Sequence, residues 1–189
     1  MLLLANKGRN KFEGWFKFEL TKKLLANKKV SKVSVEKKYT TNGDGNNDER
    51  TVYSELAFTY GGNQYLVELK TANTSYALDG CNASTRPITD NINSIINDIK
   101  KLYNARIEGN EDVTPLGLSV FICFPLPEGG HTKLNSDPNS FHIYKILSKC
   151  KQDDRQKAIL ELINFTEEDF IFSMLIGVLP ISNNRLTNG

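Results

Sequence analysis

The pattern of hydrophobic and polar residues predicts a β-hairpin in the first half of the chain. Two apolar segments, residues 51–60 and 64–71, flank Gly61 and Gly62. Paired glycines supply the positive φ angles that a tight turn between strands requires. The second segment is mostly apolar and rich in strand-forming residues, which is typical of a strand buried on both faces. The hairpin is therefore expected to lie in the middle of a sheet.

The remaining patterns predict a single α/β domain over residues 1–189. The predicted helices cover residues 12–25, 92–103, 141–150 and 156–164, and the further strands cover residues 30–41, 116–124 and 170–179. Strands that follow helices without a short turn are expected to join the sheet in parallel. The predicted order is α-β-β-β-α-β-α-α-β, a mixed β-sheet flanked by helices.

Composition excludes several classes of protein. The longest nearly apolar run, residues 170–181, is well short of the roughly 20 residues that span a bilayer. The first five residues are too short for the apolar core of a signal peptide, so we expect a cytoplasmic protein without a membrane partner. The three cysteines are widely spaced and form no Cys-x-x-Cys motif, so neither a zinc knuckle nor a disulfide framework is indicated.

Two charged residues interrupt the second hairpin strand and point to chemistry. Glu68 and Lys70 are two residues apart, so their side chains lie on the same side of the strand. A buried carboxylate or ammonium costs several kcal/mol unless it is paired or bound to a metal. Glu55, on the neighbouring strand, is expected to face the same pair. Two carboxylates and a lysine at one place in a sheet indicate a divalent-metal site with a catalytic lysine.

Glu55, followed by Glu68-Leu69-Lys70, resembles the motif of the PD-(D/E)-x-K nuclease superfamily, which has the restriction-endonuclease-like fold. The family's first acid is usually Asp, whereas this chain has Glu55 and no preceding proline. The resemblance covers residues 8–125 in the order of elements. It implies that Glu55, Glu68 and the carbonyl of Leu69 bind Mg²⁺ or Mn²⁺. It also implies that Lys70 orients or deprotonates the attacking water, or stabilises charge on the phosphate.

The first helix offers two further acids. Its predicted apolar face includes Trp15 and Phe16, with Glu19 between them and Glu13 at the edge. The resemblance implies that a glutamate of this helix helps to hold the metal, directly or through water. Glu13 and Glu19 are both candidates for this role, and Glu19 is preferred because it lies within the predicted apolar face. Otherwise each would be a surface glutamate paired with a lysine one turn away.

Basic residues concentrate before the hairpin. Residues 1–38 hold eleven Lys or Arg and three Glu, although the net charge of the chain is only +2. Beside a carboxylate site, this distribution suits a nucleic acid, and the expected phosphate contacts are Lys22, Lys23, Lys28 and Lys29. The alternative is a solvated lysine-rich face.

Three functions remain open from the sequence. The first is a metal-dependent nuclease acting on DNA, of restriction, repair or mobile-element type. The second is a catalytically silent nuclease-like domain that binds DNA or a protein partner. The third is an unrelated α/β protein in which Glu55, Glu68 and Lys70 form only a salt-bridged cluster. A homodimer would suit cleavage of both strands of a duplex, because each site cuts one strand.

Overall fold

The computed structural model describes residues 11–42, 49–74, 87–107, 113–167 and 170–183. The helices are α1 (Lys11–Ala26), α2 (Ile88–Tyr103), α3 (Phe141–Leu147) and α4 (Gln152–Gln156). The strands are β1 (Val30–Asn42), β2 (Glu49–Tyr60), β3 (Asn63–Asn73), β4 (Leu116–Pro127), β5 (Ile159–Glu167) and β6 (Phe170–Ile181). In the ranges that the structure describes, no helix is both long and apolar enough to span a membrane.

All six strands form one mixed sheet in the order β1-β2-β3-β4-β6-β5. Strands β3 and β4 are parallel, and every other neighbouring pair is antiparallel. Helix α2 connects the two parallel strands, which cannot be joined by a tight turn. The mixed α/β sheet flanked by helices is therefore confirmed, and β3 lies in its interior with β2 on one side and β4 on the other.

Helix α2 covers one face of the sheet because its apolar residues recur every three to four positions. Ile92, Ile95, Ile99 and Leu102 are all buried in the larger hydrophobic core. Each such side chain contributes about 1.5–3 kcal/mol to folding. Their sheet contacts include Leu66, so the side of β3 that carries Leu66 is the side facing α2.

Helix α1 lies on the opposite face, but with a different side inward from the one predicted. Phe16 and Leu20 pack in a second core cluster beside Leu69, whereas Trp15 is 42% exposed. Because the buried stripe does not include Trp15, the centre of the face moves away from Glu19 and towards Glu13. Glu19 is only partly buried.

The C-terminal part of the predicted order is wrong. Residues 156–164 were expected to form a helix, and most of them form β5, so the structure has one strand more than predicted. The apolar residues there follow a period of two: Leu160 and Leu162 pack on the core, while Ile159 is 60% exposed. Strand β6 pairs antiparallel with both β5 and β4, so its predicted parallel addition is also wrong.

Gly177 of β6 tests the packing of the sheet. A Cβ atom there would lie 2.1 Å from the ring of Phe121, which is itself buried. We expect Gly177→Ala to lower the free energy of unfolding by about 2–3 kcal/mol. Gly14 is the matched control, because nothing lies within 4 Å of its Cβ position inside α1. Gly14→Ala should raise stability by about 0.5–1 kcal/mol. Urea unfolding of both variants checks this, and equal midpoints would contradict it.

Candidate active site

Strand β2 separates from β3 halfway along β3. Their antiparallel pairing runs from Tyr60↔Asn63 to Leu56↔Val67. Strand β3 continues against β4 as far as Asn73↔Phe124. The second half of β3 therefore has a paired neighbour on one side and a gap on the side that β2 has left. Glu68 and Lys70 lie in this half of the strand.

Glu55 of β2 lies opposite Glu36 of β1. Strand β1 pairs Val35 with Leu56 and Lys37 with Ser54, so Glu36 and Glu55 fall between the ladder pairs. Glu36 has a φ of 54°, a conformation that is uncommon for a residue with a side chain. Glu36 Oε1 is 3.9 Å from Lys17 Nζ, so this part of the sheet lies close to α1.

Helix α1 bridges the two separating strands with consecutive turns. Glu13 Oε2 accepts hydrogen bonds from the Thr71 backbone N (3.0 Å) and Oγ1 (3.3 Å) on β3. One turn later, Lys17 Nζ donates to Glu55 Oε2 on β2 at 2.7 Å. This hydrogen bond is the main cause of the raised pKa of Lys17, and it outweighs the opposing effect of burial. The carboxylate of Glu13 thus occupies the place at β3 that β2 has vacated.

The backbone of Leu69 faces the same gap. Backbone groups two residues apart in a strand point towards the same neighbour, and the Thr71 N–H points to Glu13. The Leu69 carbonyl is therefore directed to the side from which β2 has separated. Its role as a metal ligand stays a prediction.

Glu68 is a buried carboxylate on the α2 side of β3. It is only 5% exposed and accepts a hydrogen bond of 2.7 Å from the Tyr39 hydroxyl. Burial and the nearby charge of Asp98 raise the pKa of Glu68 to about 7, although the Tyr39 hydrogen bond acts in the opposite direction. In the absence of an added cation, this carboxylate is poorly stabilised as an anion.

Lys70 lies on the same side and faces Asp98 of α2. Its Nζ is 3.5 Å from Asp98 Oδ2, at the outer limit of hydrogen bonding, and Lys101 Nζ is 2.7 Å from Asp98 Oδ1. Burial would lower the pKa of Lys70, but the carboxylates of Asp98, Glu13 and Glu68 outweigh it, so this pKa is raised. Lys70 therefore remains an ammonium ion at neutral pH.

The predicted residues divide into two linked groups. Glu68 and Lys70 lie together beside Asp98, and Glu13 acts electrostatically on both Lys70 and Lys17. Glu55 is paired with Lys17, and no contact within the described ranges joins it to Glu68 or Lys70. No three His, Cys, Asp or Glu side chains among the described residues lie close enough to hold a metal ion.

The other predicted residues lie outside this cluster. Within the part of the chain that the structure describes, no hydrogen bond or ion pair connects Glu19 to it, and Glu19 stays a prediction. Four lysines expected to contact phosphate are all exposed: Lys22, Lys23, Lys28 and Lys29. Their exposure is compatible with both the phosphate-binding and the solvated interpretation.

Sequence reasoning missed four members of the cluster, namely Lys17, Tyr39, Asp98 and Lys101. A signal existed for Asp98, because it follows Ile95 by three residues and precedes Leu102 by four, within the apolar stripe of α2. A carboxylate in such a stripe requires a partner. Tyr39 and Lys17 gave no comparable signal, because their roles depend on which strands and helices meet in the folded chain.

The comparisons with known proteins leave the family open. No protein-family model matches the chain, and neither the curated proteins nor the solved structures gave a match.

The raised pKa of Glu68 predicts how stability depends on pH. Because this pKa lies above the unfolded value of 4.5, the folded protein holds the proton more tightly. The stabilising contribution is complete below 4.5 and is lost as the pH rises to about 7. Glu68→Gln keeps an acceptor for Tyr39 and removes this loss. We expect it to raise the free energy of unfolding at pH 8 by about 2–3 kcal/mol.

Urea unfolding at pH 5 and pH 8, in a buffer with EDTA, measures this effect. The increase in the free energy of unfolding caused by Glu68→Gln should be markedly smaller at pH 5 than at pH 8. Glu161→Gln, at an exposed position of β5, is the matched control and should show no such dependence on pH. A Glu68→Gln variant less stable than the wild type at pH 8 would contradict the prediction.

Proposed function

We propose that this protein is a metal-dependent nuclease that hydrolyses phosphodiester bonds, with DNA as its expected substrate. The observation that carries the proposal is the position of Glu68 and Lys70. They lie two residues apart on an interior strand, where its antiparallel neighbour separates from it. A buried glutamate and a lysine at such a place agree with the resemblance to the PD-(D/E)-x-K nucleases.

The order of elements from α1 to β4 also supports the proposal. A helix, three antiparallel strands, a crossover helix and a parallel strand follow one another. The resemblance to the PD-(D/E)-x-K nucleases covers this same order of elements, over residues 8–125. We propose on this basis that the sheet is a restriction-endonuclease-like core to which β5 and β6 are added.

The cluster offers carboxylate oxygens to a hard divalent cation, and holding the ion with three of its side chains would require them to move closer together than they lie here. Its buried and half-buried members are four carboxylates and three lysines: Glu13, Glu55, Glu68 and Asp98 with Lys17, Lys70 and Lys101. Carboxyl groups therefore outnumber ammonium groups. Asp98 Oδ2 is buried and has no hydrogen-bond donor among the described residues, with Lys70 Nζ 3.5 Å away. Carboxylate oxygens are the ligands that Mg²⁺ and Mn²⁺ prefer.

Glu68 is the proposed principal ligand, with the Leu69 carbonyl and a second carboxylate beside it. Glu55 is the second carboxylate that the resemblance implies, and binding through Glu55 would require it to release Lys17. Few protein ligands suffice, because Mg²⁺ keeps several of its waters. A bound Mg²⁺ would supply charge neutralisation at the phosphate and a more acidic water.

The side chains of this chain then have separate tasks. Lys70, as an ammonium ion, donates hydrogen bonds to the oxygens of the attacked phosphate, where negative charge develops. Tyr39 holds the Glu68 carboxylate in place through its 2.7 Å hydrogen bond. Glu13 and Lys17 hold β3 and β2 at a fixed separation, because each binds one of the two strands.

A specific observation also favours the second function, a silent domain that binds DNA or a protein partner. Both the predicted acid of β2 and the predicted catalytic lysine already have partners, Glu55 with Lys17 and Lys70 with Asp98. A cluster satisfied in this way can stabilise a fold without chemistry. Cleavage and binding must therefore be measured separately.

The test is plasmid cleavage with Mn²⁺, compared with EDTA. We expect the wild type to convert supercoiled plasmid to nicked or linear forms only with the metal. Lys70→Ala and Glu68→Gln should each lower the cleavage rate by about a hundredfold or more. Glu68→Gln is informative because it is expected to remain folded, so its loss of activity could not be attributed to unfolding.

Matched controls are Lys157→Ala and Glu161→Ala, at exposed positions away from the cluster. They should cleave at the wild-type rate. Plasmid binding by the wild type without cleavage would assign the protein to the silent class. Equal cleavage by the wild type and both cluster variants would point to a contaminating nuclease and reject the proposed site.

A further inference from the structure

A separate cavity lies beyond the end of β3, between the start of α2 and the start of α3. Its volume is about 400 Å³, within the range of small-molecule sites. Leu126, Pro127, Leu134 and Ile88 give it apolar walls. The cavity is distant from the Glu68 cluster: Thr89 in its wall is nine residues before Asp98 on α2, roughly 14 Å along a helix.

The polar part of the wall donates hydrogen bonds and carries positive charge. Ten described residues line the cavity, and none of them has a carboxylate. Lys133 is exposed, and no ion pair within the described ranges holds its ammonium group. His131 Nδ1 accepts a hydrogen bond from the Lys133 backbone N at 3.1 Å, which leaves Nε2–H as its free donor. A cavity wall that offers hydrogen-bond donors and no carboxylate favours an anionic ligand.

His142 gives a second indication of a ligand. It is 6% exposed, and its Nδ1 is buried without a hydrogen-bond partner among the described residues. Burial, together with the charges of Lys145, Lys133 and His131, lowers its pKa, so its ring is neutral at neutral pH. An unpaired buried nitrogen costs about 1–3 kcal/mol, and a hydrogen-bonding group in the cavity would relieve this cost.

Aromatic rings line one side of the opening. Phe141 is 62% exposed although it lies in the cavity wall, and it contacts the ring of His142 edge-on, with centroids 5.1 Å apart. A large exposed aromatic side chain beside a concave site offers a flat surface for stacking. The ligand is therefore expected to have a planar ring as well as a negative charge.

We propose that this cavity binds a small molecule consisting of a planar ring and one anionic group. The ring lies among the apolar residues and against Phe141, and the anion contacts Lys133 and His131. Nucleoside monophosphates and aromatic carboxylates share this chemistry and fit the volume. The proposal does not depend on nuclease activity, because the cavity and the Glu68 cluster have no residue in common.

Isothermal titration calorimetry at pH 7.5 with EDTA tests this with four probes. Adenosine 5′-monophosphate and 4-hydroxybenzoate carry both a ring and a charge. Adenosine lacks the charge, and inorganic phosphate lacks the ring. We expect at least one ring-bearing anion to bind at a single site, with the two incomplete probes at least about tenfold weaker. The identity of the ring-bearing anion that binds shows whether the ligand is a nucleoside monophosphate or an aromatic carboxylate.

Variants connect binding to the cavity. Lys133→Gln and Phe141→Ala should each weaken the binding by about tenfold. Their matched controls, Lys157→Gln and Tyr144→Ala, alter exposed residues outside the wall and should leave it unchanged. The proposal is overturned if neither ring-bearing anion binds at millimolar concentration, or if adenosine or inorganic phosphate binds as tightly as the ring-bearing anions. It is also overturned if the control variants weaken binding as much as Lys133→Gln and Phe141→Ala do. Circular dichroism confirms that each variant is folded.

Discussion

The structure around the candidate active site depends on one buried carboxylate in an interior strand. Glu68 is 5% exposed and has a single hydrogen-bond donor among the described residues, the Tyr39 hydroxyl. A charge at this depth is unfavourable, and the residues around it reflect that constraint. Lys70 and Lys101 lie on the same side of the sheet as Glu68, and both lower the pKa of its carboxylate. Asp98 opposes them, so the carboxylate remains incompletely neutralised.

The separation of β2 from β3 leaves one edge of β3 open beside this carboxylate. In an uninterrupted sheet both edges of β3 would be occupied by backbone hydrogen bonds. Here one edge is left to side chains, and Glu13 takes the hydrogen bond of Thr71 that a strand would have made. Lys17, one turn further along α1, fixes β2 through Glu55. The same helix therefore holds the gap open and supplies charged groups to it.

The sequence predicts those helices and strands whose structure is determined by their own residues. Residues 64–71 were recognised as a buried strand from their apolar run, and α2 from its spacing of isoleucines, because these signals are local. The C-terminal hairpin was missed since Ile159 to Ile163 also fit a helical face, and only pairing with β6 decides between the two. The sequence favours Glu19 over Glu13 because the inward side of α1 is set by the sheet and cannot be read from the helix alone.

We propose that the Glu68 carboxylate, beside the gap between β2 and β3, accepts a divalent cation. Crystals soaked in Mn²⁺ and measured at the manganese absorption edge test this directly, since anomalous scattering locates the ion. We expect a single strong peak in contact with a Glu68 carboxylate oxygen, and its loss in crystals of Glu68→Gln. Peaks found only elsewhere, or no peak while Glu68 keeps Tyr39 as its partner, would contradict the claim.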